Sequence, residues 1–219
     1  MKLLTSLAFG LALTAGAQAS TVYTNDFSMG DGGFTGAAVT TYGTYGAFYG
    51  ILTQGATATL SLTGFAANQA LELTFDLYTL QSLDGDNATW GPDTFAVAFN
   101  GSTVFDYSFS NWPGSLDAAS DFPQSYGGVG SSAGTGAVAS IESSGWAGAT
   151  EYTYGLILSG LADANGDFQI SFLGNSGQEA YDEGFGIDNV TVATVPLPAG
   201  LPLLAAGIGA LGLLRRRKA

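Results

Sequence analysis

Phe95-Ala96-Val97-Ala98-Phe99-Asn100-Gly101-Ser102-Thr103-Val104-Phe105-Asp106-Tyr107-Ser108-Phe109 is the stretch that decides the fold. Phe95, Val97 and Phe99 alternate with alanine, and Phe105, Tyr107 and Phe109 alternate with polar residues. A period of two puts successive side chains on opposite faces of a strand. Asn100-Gly101 suits a two-residue turn between the runs, because both residues tolerate positive φ. The same alternation recurs outward at 58–62, 71–77, 152–158, 168–173 and 187–192, with Gly, Asn, Asp and Ser between the runs. No window of a dozen residues carries helical spacing with caps. About ten strands at eight- to twelve-residue spacing predict an all-β protein, a two-sheet β-sandwich of jelly-roll type. Residues 111–148, rich in Gly, Ser and Ala, read as a long irregular connection, either functional or a surface excursion.

Composition narrows the chemistry. Glycine and proline make up about 18% of the 219 residues, below the roughly 25–30% of a low-complexity chain. The hydrophobic content of 46% suits a folded core. All five basic residues, Lys2, Arg215, Arg216, Arg217 and Lys218, lie at the ends, whereas all 18 acids fall between Asp26 and Asp188. The central region therefore cannot form an internal salt bridge. With no His or Cys in the chain and no Lys or Arg in that region, it cannot build a Ser-His-Asp or Cys-His unit, a Schiff-base lysine or a thiolate–imidazole zinc site. It also lacks the basic patch that nucleic acid requires. Carboxylates, hydroxyls, amides and aromatic rings remain, and these suit hard cations and sugars.

The two ends read as addresses. Lys2, an apolar run over 3–15 and Ala17-Gln18-Ala19 form a secretory signal helix spanning residues 1–19, with cleavage expected between Ala19 and Ser20. Residues 20–194 then form the ectodomain. In the segment 195–219, Val195-Pro196-Leu197-Pro198-Ala199 precedes an uncharged apolar run that ends at Leu214 and is followed by Arg215-Arg216-Arg217-Lys218. As a helix, 197–214 would be about 27 Å long, enough to span a hydrocarbon core. The basic cluster should stay cytoplasmic, leaving the acidic domain outside. Read without any resemblance, this is a plain tail anchor.

The motif, apolar helix and terminal arginines together resemble the VPLPA-CTERM sorting signal, a variant of the PEP-CTERM class of bacterial proteins. That resemblance implies export through the inner membrane and recognition by an exosortase, a membrane cysteine protease. The domain would then be passed to the cell surface or the extracellular polysaccharide, and the helix would be a transient handle.

Two acidic constellations suit a metal. Asp84-Gly85-Asp86-Asn87-Ala88-Thr89-Trp90-Gly91-Pro92-Asp93 lies between two strands. Asp84, Asp86, Asn87 and Asp93 could wrap a Ca²⁺ ion, which takes six to eight oxygens. The alternative is an acidic turn open to water. Asp182-Glu183-Gly184-Phe185-Gly186-Ile187-Asp188-Asn189-Val190 opens the last strand. It is similar to the final-strand pattern of carbohydrate-binding-module-like jelly rolls, and Asn25-Asp26-Phe27 resembles their opening strand. The resemblance implies a structural calcium joining the first and last strands through Asp188 and Asp26, with Glu183 a further candidate. Ile187 and Val190 are expected on opposite faces, so that Asp188 or Asn189 adjoins a buried neighbour. Asp163-Ala164-Asn165-Gly166-Asp167 reads as a hairpin turn.

Trp90, Trp112, Tyr126 and Trp146, and the run Tyr42, Tyr45, Phe48, Tyr49, lie in or beside expected loops. Exposed aromatic faces stack on sugar rings, although tryptophan also serves as core. The expectation is a non-catalytic, exported, calcium-stabilised surface protein whose ligand, where it binds one, is neutral polysaccharide. The alternatives are a glycoside hydrolase with a carboxylate pair about 5–9.5 Å apart in a groove, and a self-associating matrix subunit.

Overall fold

The computed structural model describes residues 18–113, 122–142 and 145–195. Along them run eleven strands: β1 (Ser20–Asn25), β2 (Ala38–Thr41), β3 (Ala47–Leu52), β4 (Ala56–Leu62), β5 (Ala70–Gln81), β6 (Thr94–Phe99), β7 (Ser102–Ser108), β8 (Ala139–Glu142), β9 (Thr150–Leu161), β10 (Phe168–Asn175) and β11 (Glu183–Thr194). They belong to one unit, Ser20–Thr194. No helix occurs among the described residues, and none there is long and apolar enough to cross a membrane. The expected signal and C-terminal helices lie outside the described residues.

Every strand pair is antiparallel, and the strands form two sheets. One runs β2-β3-β11-β5-β9-β8, with β1 also on β11, and the other β4-β10-β6-β7. The Asn100-Gly101 turn joins β6 to β7 with φ of 48° and 80° and with Phe99 opposite Ser102. β1 and β3 share one edge of β11: Asn25 pairs with Val190, while Tyr49 pairs with Ile187. Between those contacts the ladder shifts register and Asn189 takes φ 50°.

The core lies between the sheets. Leu71, Leu73, Phe75 and Leu77 of β5 point inward and are at most 2% exposed, as the alternation requires. They meet Phe95 and Val97 of β6 and Phe168, Ile170 and Phe172 of β10. Phe75 sits 5.1 Å from Phe172 and 6.2 Å from Phe95, and Phe95 sits 5.4 Å from Phe185. Each such ring removed from water contributes roughly 1.5–3 kcal/mol. A second, smaller cluster of Phe48, Tyr78 and Leu80, backed by Tyr42, Tyr45 and Ile51, covers the distal half of β5. That half of the strand is consequently buried on both faces.

Several expectations need correction. Phe48 and Tyr49 are not loop aromatics: they lie in β3 with no exposed surface. Ile187 and Val190 do not face opposite ways; both are fully buried in one core cluster, because the bulge at Asn189 resets the alternation. The 163–167 turn is no hairpin, since it carries the chain from β9 in one sheet to β10 in the other. The 111–148 connection contains β8 and, among its described residues, a buried anchor. Gln124 Nε2 donates to Tyr126 O and Thr135 O, and Gln124 Oε1 accepts from Tyr154 Oη at 3.3 Å.

Candidate functional site

Three carboxylates converge where β5 ends, β6 begins and β11 begins. Asp84 follows β5 by three residues, Asp93 immediately precedes β6, and Glu183 is the first residue of β11. One oxygen from each lies within 4.8 Å of the others. Asp93 and Glu183 have no exposed surface and Asp84 has 7%. The 84–93 loop folds back on itself to bring its ends together, with the Asp93 N–H donating to Gly85 O at 2.9 Å and the Gly91 N–H to Asn87 O at 3.1 Å. Gly85 is required here: its φ is +61°, and an added Cβ would stand 2.1 Å from Pro123 O.

Protein donors answer only part of this charge. Trp112 Nε1 donates to Asp84 Oδ1 at 2.7 Å. The backbone N–H of Asp84 donates to Asp93 Oδ2, and that of Gly177 to Asp93 Oδ1 at 3.2 Å. The Gln178 N–H donates to Glu183 Oε2 at 3.1 Å. Glu183 Oε1 is buried and has no hydrogen-bond partner. Burial pushes all three acids up: Asp84 upward, with the charge of Asp182 adding to it, Asp93 to about 7, with the charge of Asp84 adding, and Glu183 to about 9, with the charges of Asp93 and Asp84 adding. Trp112 holds Asp84 back, and the two backbone donors hold Asp93 back.

An uncompensated buried carboxylate costs several kcal/mol, and no basic residue lies between Lys2 and Arg215 to compensate it. Protons or a cation must fill that role. Two oxygens on one Ca²⁺ stand at most about 5 Å apart, twice the Ca–O distance, so the 4.8 Å cluster fits such an ion. Asp84, Asp93 and Glu183 are the residues that would hold it.

The other acids singled out in the sequence lie elsewhere. Asp86 is exposed. Asn87 Oδ1 accepts the N–H groups of Thr89 and Trp90 at 2.8 and 3.0 Å, which makes it a cap within the loop. Asp26 is exposed and is held below the usual carboxylate range by the hydroxyl and N–H of Ser28. Asp188 is buried on the opposite face of β11 from Ile187. It accepts from Tyr78 Oη at 2.8 Å and from the Asn189 N–H at 2.7 Å. Burial raises its pKa while those two donors pull it down, so both its oxygens are answered by protein groups.

Beside the triad opens a pocket of about 280 Å³ lined by Ser82, Asp84, Trp90, Trp112, Phe122, Trp146, Gln178 and Asp182. It gathers all three tryptophans of the chain. Trp90 is 59% and Trp146 38% exposed, so ring faces are open to water. Asp84 belongs to both pocket and triad. Tyr126 is elsewhere: it packs 5.1 Å from Phe109 and 5.3 Å from Tyr154, and lines a separate groove with Val104, Tyr107 and Val129. Sequence reasoning had no means to find the backbone donors at 177 and 178, because they come from the turn between β10 and β11.

No protein-family model and no curated protein matches the chain. Solved structures of related shape include a family GH115 4-O-methyl-α-glucuronidase with specificity for decorated arabinogalactans, at 12% identity and a TM-score of 0.39 over 88% of this chain. They also include dimeric latent PorU from Porphyromonas gingivalis, at 12% identity and a TM-score of 0.45 over 84% of this chain. A third is the CBM22-1 xylan-binding domain of Xyn10C from Paenibacillus barcinonensis, at 13% identity and a TM-score of 0.40 over 85% of this chain and 100% of that one. The chain spans only 20% of the glucuronidase and 13% of PorU. These likenesses are of general shape and carry no conclusion about ligand or activity. The β-sandwich stands on its own strand pairing.

Proposed function

We propose that this chain is an exported, non-catalytic surface or matrix protein whose calcium-stabilised β-sandwich binds neutral polysaccharide in the tryptophan pocket. In this reading residues 1–19 direct export, and residues 195–219 are handed to an exosortase-type protease at the inner membrane. The observation that carries the ligand is the convergence of Trp90, Trp112 and Trp146 on one open pocket with carboxylate and amide groups at its wall. Indole faces stack on the apolar faces of sugar rings, and the polar groups bond their hydroxyls. The surplus of acids over the domain repels polyanions, which favours a neutral polymer.

Asp93 and Glu183 are buried out of reach of a scissile oxygen, and the two acids that line the pocket are already engaged, Asp84 Oδ1 accepting from Trp112 Nε1 and Asp182 Oδ1 from the Ser82 hydroxyl, which supports the non-catalytic reading. A glycan array probed with the full chain in calcium-containing buffer tests the proposal. Neutral glycans should be retained, and retention should fall on Trp90→Ala and Trp146→Ala substitution. Silence across neutral and acidic glycans, together with calcium-dependent self-association, would select a matrix subunit instead.

A further inference from the structure

We propose that a divalent cation held by Asp84, Asp93 and Glu183 fixes the shape of the tryptophan pocket, so that cation and glycan each tighten the binding of the other. The glycan half rests on the reading above; the coupling rests on connectivity. Asp84 and Asp93 are the two ends of the loop that carries Trp90, and their close approach forms its neck. Asp84 also accepts the Trp112 Nε1–H at 2.7 Å, so the carboxylate that would touch the cation also orients a pocket indole. Glu183 reaches the far wall, because its Oε2 accepts from the N–H of Gln178, a pocket residue. Gly177, which bonds Asp93, lies against Trp90 O, where an added Cβ would stand only 3.0 Å away.

The cluster alone would be only a group of acids. What points to a ligand is Glu183 Oε1, wholly buried and without a hydrogen-bond partner on a side chain that converges with Asp84 and Asp93. Without a cation the three carboxylates cannot all carry charge at this separation in a low-dielectric site, so the neck of the Trp90 loop is held only by protons and the two backbone bonds across it. With one, the neck is drawn shut and both indoles are fixed. By linkage, if the cation tightens glycan binding by some factor, glycan tightens cation binding equally.

The test uses the full chain with calcium chloride and cellohexaose as probes. Calorimetry follows each binding step, and tryptophan emission reports the pocket without any glycan. Calcium should shift the emission, chelation should weaken cellohexaose about tenfold, and cellohexaose should tighten calcium by the same factor. Glu183→Gln should abolish the emission response. Trp112→Phe keeps a ring but loses the donor to Asp84, so it should still bind calcium while cellohexaose affinity no longer depends on it. Calcium that binds without moving emission, with cellohexaose held equally in its presence and absence, overturns the coupling and leaves the pocket reading intact. Absence of calcium binding overturns both the coupling and the metal centre. A calcium-driven emission shift in a protein that fails to bind added cellohexaose with or without calcium upholds the pocket's dependence on the cation and refutes its glycan reading.

Discussion

Glu183→Gln should stabilise the metal-free protein and destabilise it relative to the parent when calcium is present. Burial and the charges of Asp93 and Asp84 hold the folded-state pKa of Glu183 at about 9, above its ordinary 4.5. A group shifted upward contributes its full stability below the unfolded value and loses it as the pH climbs toward the folded value. The window therefore runs from about pH 4.5 to about pH 9. At about pH 7.5 the cost of keeping the site protonated reaches roughly 4 kcal/mol, at about 1.4 kcal/mol per unit. Glutamine mimics the protonated acid: its carbonyl can still accept from the Gln178 N–H, and its amide faces Asp84 and Asp93 as a donor. The metal-free variant should consequently melt about 10 °C above the metal-free parent at that pH, with the gap closing by about pH 4.5. In calcium the order should reverse, because the variant has lost a ligand. Scanning calorimetry of the full chain across a pH series, with chelator and with calcium, measures both limbs. A metal-free variant no more stable than the parent at any pH would refute the reasoning, as would a parent whose metal-free stability does not fall with rising pH.

Trp90→Ala and Trp146→Ala should each weaken neutral-glycan binding by about tenfold; Trp90→Ala should shift the melting temperature by no more than about 2 °C, since Trp90 is 59% exposed, and Trp146→Ala by more, since Trp146 is 38% exposed; titration calorimetry and thermal melts read the two effects. Gly85→Ala should cost more than about 1 kcal/mol, because it strains a positive φ and drives a Cβ against Pro123 O; the urea midpoint measures it. Replacing Arg215, Arg216, Arg217 and Lys218 with neutral residues should leave the domain unsorted, and fractionation showing normal surface display would count against the sorting proposal.

The fold was legible wherever one strand face is wet and the other dry. β5, β6 and β10 announce themselves because Leu71, Leu73 and Phe75, or Phe168, Ile170 and Phe172, alternate with residues that need no core. β3 was opaque for the opposite reason: Phe48, Tyr49 and Gly50 are all buried, so no alternation survives. The Asn189 bulge defeated a parity argument that assumed a regular strand. The metal candidates were grouped by adjacency in the chain, as the sequence presents them. The structure takes Asp84 and Asp93 from one group and Glu183 from the other, a union that follows only from β11 lying beside β5. The convergence of the tryptophans has the same origin, since Trp90, Trp112 and Trp146 stand on three separate loops.

β11 has a mechanical consequence. It begins at Glu183, beside the pocket, and ends at Thr194, where the chain leaves the domain opposite Ser20. A polymer gripped at one end and a tether pulling at the other would load this twelve-residue strand lengthwise, over roughly 40 Å. Its neighbours on both edges are antiparallel, and their ladder bonds run across the direction of pull. Tension would have to shear the bonds of two ladders together, whereas an edge strand such as β8 is held by one ladder alone.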